Sequence, residues 1–206
     1  MGKIKTQFSE PMVRVSQFSI FNFQLSICGL FLCLLFSTSI YSQTQETETE
    51  KVDTSKIIKL DYPESLAELL SQFENKVVFV DFIASWCSGC IKGLKDYEKL
   101  DAFFDENDIV KLFVVVDTPR NMDKCYVYFD ANNIKGYSVP YYLGDSDKKS
   151  SFREELADLF FKDDNNLTLI ALPRFAIVDK EGNIVEKNAE NPGKTEELKA
   201  QLEKYL

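Results

Sequence analysis

From residue 57 to the end, the spacing of apolar positions switches repeatedly between strand-like runs and helix-like stripes. Residues 57–60 predict a short strand, and residues 63–73 then place Leu66, Leu69, Leu70 and Phe73 at helical spacing before an apolar run at 77–83 predicts a second strand. A helix is expected to open near Ser88 and to continue through Leu94, Tyr97, Leu100 and Phe104. Residues 109–116 are a β-branched run suited to a central strand covered on both faces, and Asp117 ends it. A helix over 121–133, an extended segment over 137–143 and a stripe over 152–161 with Leu156, Leu159 and Phe160 on one face come next. Residues 175–178 and 184–185 flank the turn Lys180-Glu181-Gly182-Asn183, which predicts a hairpin, and a closing helix holds Leu198, Leu202 and Leu206. This alternation predicts an α/β domain with one central sheet flanked by helices.

The pattern before residue 57 is different. Lys3, Lys5 and Arg14 precede an apolar core at 27–36 and a run of small and polar residues at 37–42, the layout of a secretory signal peptide over 1–42. A membrane span needs about twenty apolar residues, so this core is short for one; an uncleaved anchor, with 18–23 extending the core, is the alternative. Met12 followed by Arg14 makes a more compact signal, so the start is read as Met1 or Met12. Cys28 and Cys33 follow Ile27 and Leu32 rather than a small residue, which argues against lipidation. Residues 43–56 are almost wholly polar and cannot bury enough surface to offset ordering, so they read as a flexible linker. The remainder, 57–206, is about the size of one domain with a single core. A net charge of -9 argues against nucleic acid or an anionic membrane as partner, since phosphate contacts need a basic patch.

The candidate chemistry lies where the 77–83 run meets the next helix, in Cys87-Ser88-Gly89-Cys90. Cysteines three apart at a helix start can close a small disulfide ring or open to two thiols. Unpaired amides at that start favour an anion, which makes Cys87 the expected nucleophile and Cys90 the more buried resolving thiol. Asp81 interrupts the apolar run. Buried, its carboxyl would rise toward neutrality and take the Cys90 proton directly or through one water; facing solvent, it would be an ordinary surface acid. A structural staple and half a zinc site are the other readings of the cysteine pair. Zinc is disfavoured because the chain has no histidine and, outside the leader, only Cys125 besides the pair. So short a loop also makes a weak staple.

Val80-Asp81-Phe82-x-Ala84-x-Trp86-Cys87-x-x-Cys90 resembles the active-site segment of thioredoxin-like proteins. That resemblance implies Cys87 as nucleophile, Cys90 as resolving thiol, Asp81 as the buried acid and Trp86 as an aromatic wall, with Ser88 and Gly89 beside the substrate. It also implies a cis-proline facing the cysteines. Pro173, in Leu172-Pro173-Arg174-Phe175, fits that place, which leaves the Leu172 backbone to pair with an extended substrate segment. Pro140 is the competing candidate and reads as a trans proline at a strand start. Arg174 would steer an acidic substrate or serve as a solvated surface charge.

An α/β insertion between Val114-Val115-Val116-Asp117 and Pro173, together with the apparent export signal, is similar to the periplasmic TlpA-like group. This implies a thioredoxin-like fold with a central mixed sheet, protein disulfides as substrates, a membrane-bound electron donor, and neither cofactor nor metal. The chain has Gly93 and Lys95 where many reductive members carry Glu and Pro, and Ser88-Gly89 leaves reductant, oxidant and isomerase open. A non-catalytic binding or assembly module with a structural disulfide is the competing reading. A peroxide-reducing relative is disfavoured because Ala84 stands where Thr is expected. Cys125 reads as a buried free thiol or as one half of an intermolecular disulfide, and Tyr141 and Tyr142 as core or rim aromatics.

Overall fold

The computed structural model describes residues 56–144, 150–163 and 165–206. The expected leader over 1–42, with Cys28 and Cys33, and the expected linker up to residue 55 lie outside the described residues. The elements run β1 (Ile57–Lys59), α1 (Leu66–Ser71), β2 (Val78–Ile83), α2 (Ser88–Gly93), α3 (Asp101–Glu106), β3 (Val110–Asp117), α4 (Met122–Ala131), β4 (Gly136–Tyr142), α5 (Ser151–Leu156), β5 (Arg174–Val178), β6 (Ile184–Glu186) and α6 (Thr195–Leu202).

Among the described residues the strands form one six-stranded sheet in the order β1-β4-β3-β2-β5-β6. β1, β4, β3 and β2 lie parallel, β5 runs antiparallel to β2, and β6 runs antiparallel to β5, so the sheet is mixed. The α/β insertion contributes β4, which lies between β1 and β3. Gly136 opens β4 at a φ of +136°, and a Cβ there would fall 2.5 Å from the Lys111 carbonyl oxygen, so glycine alone permits the close approach.

Every residue of β2 and β3 is buried, which explains why both read as runs that are apolar apart from Asp81 in β2 and Lys111 and Asp117 in β3. Their side chains alternate between two cores. Phe79, Ile83 and Phe113 pack with Leu94, Tyr97 and Phe104, with Phe129 of α4 and with Leu198 and Leu202 of α6. Val78, Val80 and Phe82 face the other way, against Leu69 of α1, Phe152 and Leu156 of α5, and Phe160 and Phe161 just after it. This is the thioredoxin-like layout of a central mixed sheet between helical layers.

Three local expectations differ from the structure. The single helix expected from Ser88 to Phe104 is in pieces: α2 stops at Gly93, a 3-10 segment covers Leu94–Lys99, and α3 begins at Asp101. Glycine inside a helix costs about 1 kcal/mol relative to alanine, and the tighter segment keeps Leu94 and Tyr97 facing the core. Pro140 is trans but stands inside β4, opposite Val115, rather than at its start. The pairing of β1 with β4 ends at Ser138, so the missing amide of Pro140 falls beyond the β1 ladder. Leu206 does not share the buried face of Leu198 and Leu202; α6 ends at Leu202, a 3-10 turn follows, and Leu206 is 39 % exposed.

Candidate active site

The site is assembled at the carboxyl end of β2 and β3. The loop leaving β2 is pinned twice: the Ser85 amide donates to Oδ2 of Asp117 at 2.9 Å, and the Cys87 amide donates to the Ala84 carbonyl at 3.1 Å. Asp117, the last residue of β3, is fully buried and also accepts from the Thr118 amide at 3.0 Å. The strand pairing therefore sets where Cys87 stands, through one carboxylate. Cys87 is the N-cap of α2, and its Sγ accepts from the Cys90 amide at 3.1 Å.

Cys87 and Cys90 form a disulfide with S–S 2.05 Å and Cα–Cα 5.3 Å. Both residues are 6 % exposed, so burial does not rank the two thiols as expected; the cap position is what distinguishes them. Trp86 is 52 % exposed, and Ser88 and Gly89 are exposed beside it. The Leu172–Pro173 peptide bond is cis. Pro173 is exposed and sits against the first turn of α2, where a Cβ on Gly89 would meet Pro173 Cδ at 3.7 Å. Leu172 is half-buried and packs on both cores, and Arg174 is half-buried at the start of β5.

Asp81 is buried, at 5 % exposure, in register with Phe113 of β3 and Phe175 of β5. Its Oδ2 accepts from the Tyr97 hydroxyl at 2.7 Å, and its Oδ1 has no hydrogen-bond partner among the described residues. Burial raises the carboxyl from 3.8 to about 7, and the Tyr97 hydrogen bond offsets part of that rise. Asp81 and Cys90 line one cavity of about 190 Å³, together with Gly89, Pro173 and Phe175, large enough to admit water. The surface-acid reading of Asp81 is thereby overturned.

Sequence reasoning missed Tyr97, Asp117 and the 191–193 segment, all of which help build this site. Tyr97 was read only as a member of an apolar stripe; its usable signal is that it follows Cys90 by two helical turns, which puts a phenol near the same spot. Asn191, Pro192 and Gly193 wall the cavity with Asp96, and nothing local marks them. Among the described residues, no group of three or more His, Cys, Asp or Glu side chains is placed to hold a metal ion.

Cys125 is a free thiol, fully buried in the core beneath the site. Burial, followed by the charges of Asp117 and Asp81, pushes its pKa up to about 12. Folded protein therefore offers it to no partner chain, which removes the intermolecular-disulfide reading. After reduction, alkylation by iodoacetamide at pH 8 will modify Cys87 and leave Cys125 untouched until denaturant is added, as mass spectrometry of the labelled peptides will show. Rapid labelling of Cys125 in native protein would contradict its burial.

The Redoxin family profile matches residues 60–205. No curated protein sequence matches the chain. Among solved structures, a Bacteroides vulgatus protein provisionally named a thiol-disulfide oxidoreductase is 27 % identical, with a TM-score of 0.46 over 66 % of this chain and 83 % of that one. A Chlorobium tepidum protein provisionally named thiol:disulfide interchange protein DsbE is 16 % identical, with a TM-score of 0.47 over 66 % of this chain and 84 % of that one. A thiol:disulfide interchange protein from Bacteroides sp. is 23 % identical, with a TM-score of 0.43 over 66 % and 76 %. The assignment rests on the family match together with the disulfide and the sheet: the chain belongs to the Redoxin family and is a thioredoxin-like oxidoreductase.

Proposed function

We propose that this protein is an exported reductant of protein disulfides in the cell envelope, and the observation that carries the reading is the buried, half-partnered Asp81 sharing a cavity with Cys90. The Cys87 thiolate attacks one sulfur of a substrate disulfide, forms a mixed disulfide and expels the other substrate sulfur as a thiolate. Cys90 then loses its proton toward Oδ1 of Asp81, directly or through one water, and its sulfur attacks Cys87 Sγ. The substrate leaves as a dithiol, and the Cys87–Cys90 disulfide remains. Two electrons and two protons from a dithiol donor, held at the membrane in this reading, restore the reduced pair.

Trp86, Ser88, Gly89 and Pro173 form the exposed rim on which a substrate segment would lie. In this reading the Leu172 backbone pairs with that segment, and Arg174 favours an acidic residue on it. Residues 1–42 act as the export signal and 43–56 as the tether, with 57–206 as the catalytic domain.

The reductive direction is part of this reading: the carboxyls of Asp81 and Asp117 lie at the site, and negative charge beside a dithiol favours its disulfide form, so that the dithiol gives up its electrons readily. Equilibrating the protein against dithiothreitol buffers, read by Trp86 fluorescence, will give a midpoint nearer the thioredoxin end, about -270 mV, than the strongly oxidising end at about -120 mV. A midpoint at the oxidising end would replace the reductant reading with an oxidant or isomerase. A pair that stays oxidised in excess dithiothreitol until the protein unfolds would make the disulfide structural.

A further inference from the structure

Tyr97 is 2 % exposed and lies in the 3-10 segment after α2. Its ring packs against Phe79, Phe104 and Phe113, with centroids 6.4, 6.4 and 5.4 Å away. A phenylalanine would fill this apolar niche without burying a hydroxyl, so the packing does not account for the oxygen. The oxygen donates to Oδ2 of Asp81 at 2.7 Å. Burial, and then the Asp81 carboxyl beside it, push the phenol well above its ordinary pKa, so it stays a donor through neutral pH.

With Oδ2 occupied, the carboxyl has one oxygen left to exchange a proton. Oδ1 is that oxygen, unpartnered within the protein, on a side chain that shares the cavity with Cys90. We propose that Tyr97 is a positioning residue for the proton step: by holding Oδ2 it fixes the carboxyl beside Cys90 and leaves Oδ1 as the oxygen that takes the Cys90 proton. The inference rests on the exchange chemistry proposed above and adds to it the group that sets the base.

The groups around Asp81 sharpen the point. Cys90 and Tyr97 face it from the helical layer, Asp96 shares its cavity, and Cys125 lies on α4. Asp101 acts on the Tyr97 phenol, and Lys111 is engaged in an ion pair with Asp101. Its cross-strand neighbours, Phe113 and Phe175, carry no charge. Among these groups the Tyr97 hydrogen bond is what favours the Asp81 carboxylate over the acid. Without it, burial acts unopposed and Asp81 becomes a base only at higher pH.

The test compares wild type with Tyr97→Phe, which keeps the ring and removes the hydroxyl. Two quantities are read: the titration of the Asp81 carboxyl carbon by NMR, assigned with Asp81→Asn, and the pH dependence of mixed-disulfide resolution in single-turnover mixing with a small aromatic disulfide. A hydrogen bond to a charged group is worth about one to two pH units, so both the carboxyl titration and the acid limb should move up by that amount, slowing resolution at pH 6 roughly tenfold or more. The rate at high pH should be preserved, because Cys90 and Asp81 are intact. Coincident titrations and coincident acid limbs in the two folded proteins would overturn the inference, and a merely structural tyrosine would give that result. If wild type shows no exchange at all, the exchange reading falls, while the carboxyl titration still decides whether Tyr97 holds Asp81. Tyr97→Met, which also removes the hydroxyl and fills the niche with a flexible apolar side chain, stands in should the phenylalanine protein not fold.

Discussion

Cys87→Ser will bring disulfide reduction down to the uncatalysed rate, a loss of at least about three orders of magnitude, without unfolding the domain. Serine is a preferred N-cap, so its hydroxyl can take over the hydrogen bond that Cys87 Sγ accepts from the Cys90 amide at 3.1 Å, and α2 keeps its start. The lost disulfide closes a loop of sequence separation 3, which restrains the unfolded chain by about 2 kcal/mol or less. Cys90→Ser will behave differently. Cys87 can still attack, yet nothing resolves the product, so a mixed disulfide with substrate will accumulate and be visible by non-reducing electrophoresis and mass spectrometry. If instead Cys87→Ser traps substrate and Cys90→Ser does not, the two thiols have exchanged roles.

Asp81→Asn will make the protein more stable at pH 8 and slower at exchange. Burial holds the Asp81 carboxyl at about 7 rather than 3.8, so between those values the native state keeps a proton that the unfolded chain has lost. Wild-type stability conferred by the protonated carboxyl is therefore full below pH 3.8, declines as pH rises, and is gone above about 7. The full shift corresponds to about 4 kcal/mol. Asparagine is neutral throughout and its carbonyl can still accept the Tyr97 hydrogen bond, so a gain of about 2 to 4 kcal/mol is expected at pH 8, vanishing near pH 4. Urea unfolding of both proteins from pH 4 to 8.5 measures this directly, and curves that stay parallel across that range would rule out a titrating buried Asp81. Loss of the base should also slow Cys90 resolution by about a hundredfold at pH 7.

These two changes act on neighbouring parts of one site, Cys87 at the start of α2 and Asp81 within β2. β2 carries its apolar residues into both cores and spends one core position on an acid. That acid lowers stability at neutral pH, and the proton chemistry of Cys90 gives a reason for keeping it there.

Much of this is legible in the sequence. The strands at 77–83 and 109–116 announce themselves because a strand buried on both faces is largely apolar, as β2 and β3 are apart from Asp81, Lys111 and Asp117. Asp81 and the cysteine pair stood out against that background. The breaks at Gly93 and Leu100 are not legible in the sequence, because apolar spacing persists across α, 3-10 and α segments alike. The place of Pro140 inside β4 is not legible either, because the sequence does not show where the neighbouring β1 ladder ends.

By itself, then, the sequence determined the element order, the two apolar faces of the sheet, the redox pair and the one acid in an apolar strand, since each of these is a local pattern of residue types. Only the tertiary structure decided that Tyr97 donates to Asp81, that Asp117 holds the loop of Cys87, and that Pro173 and the 191–193 segment close the cavity around Cys90. Those are contacts between elements distant in the chain. They depend on strand register and helix placement, and the packing of the whole core sets both.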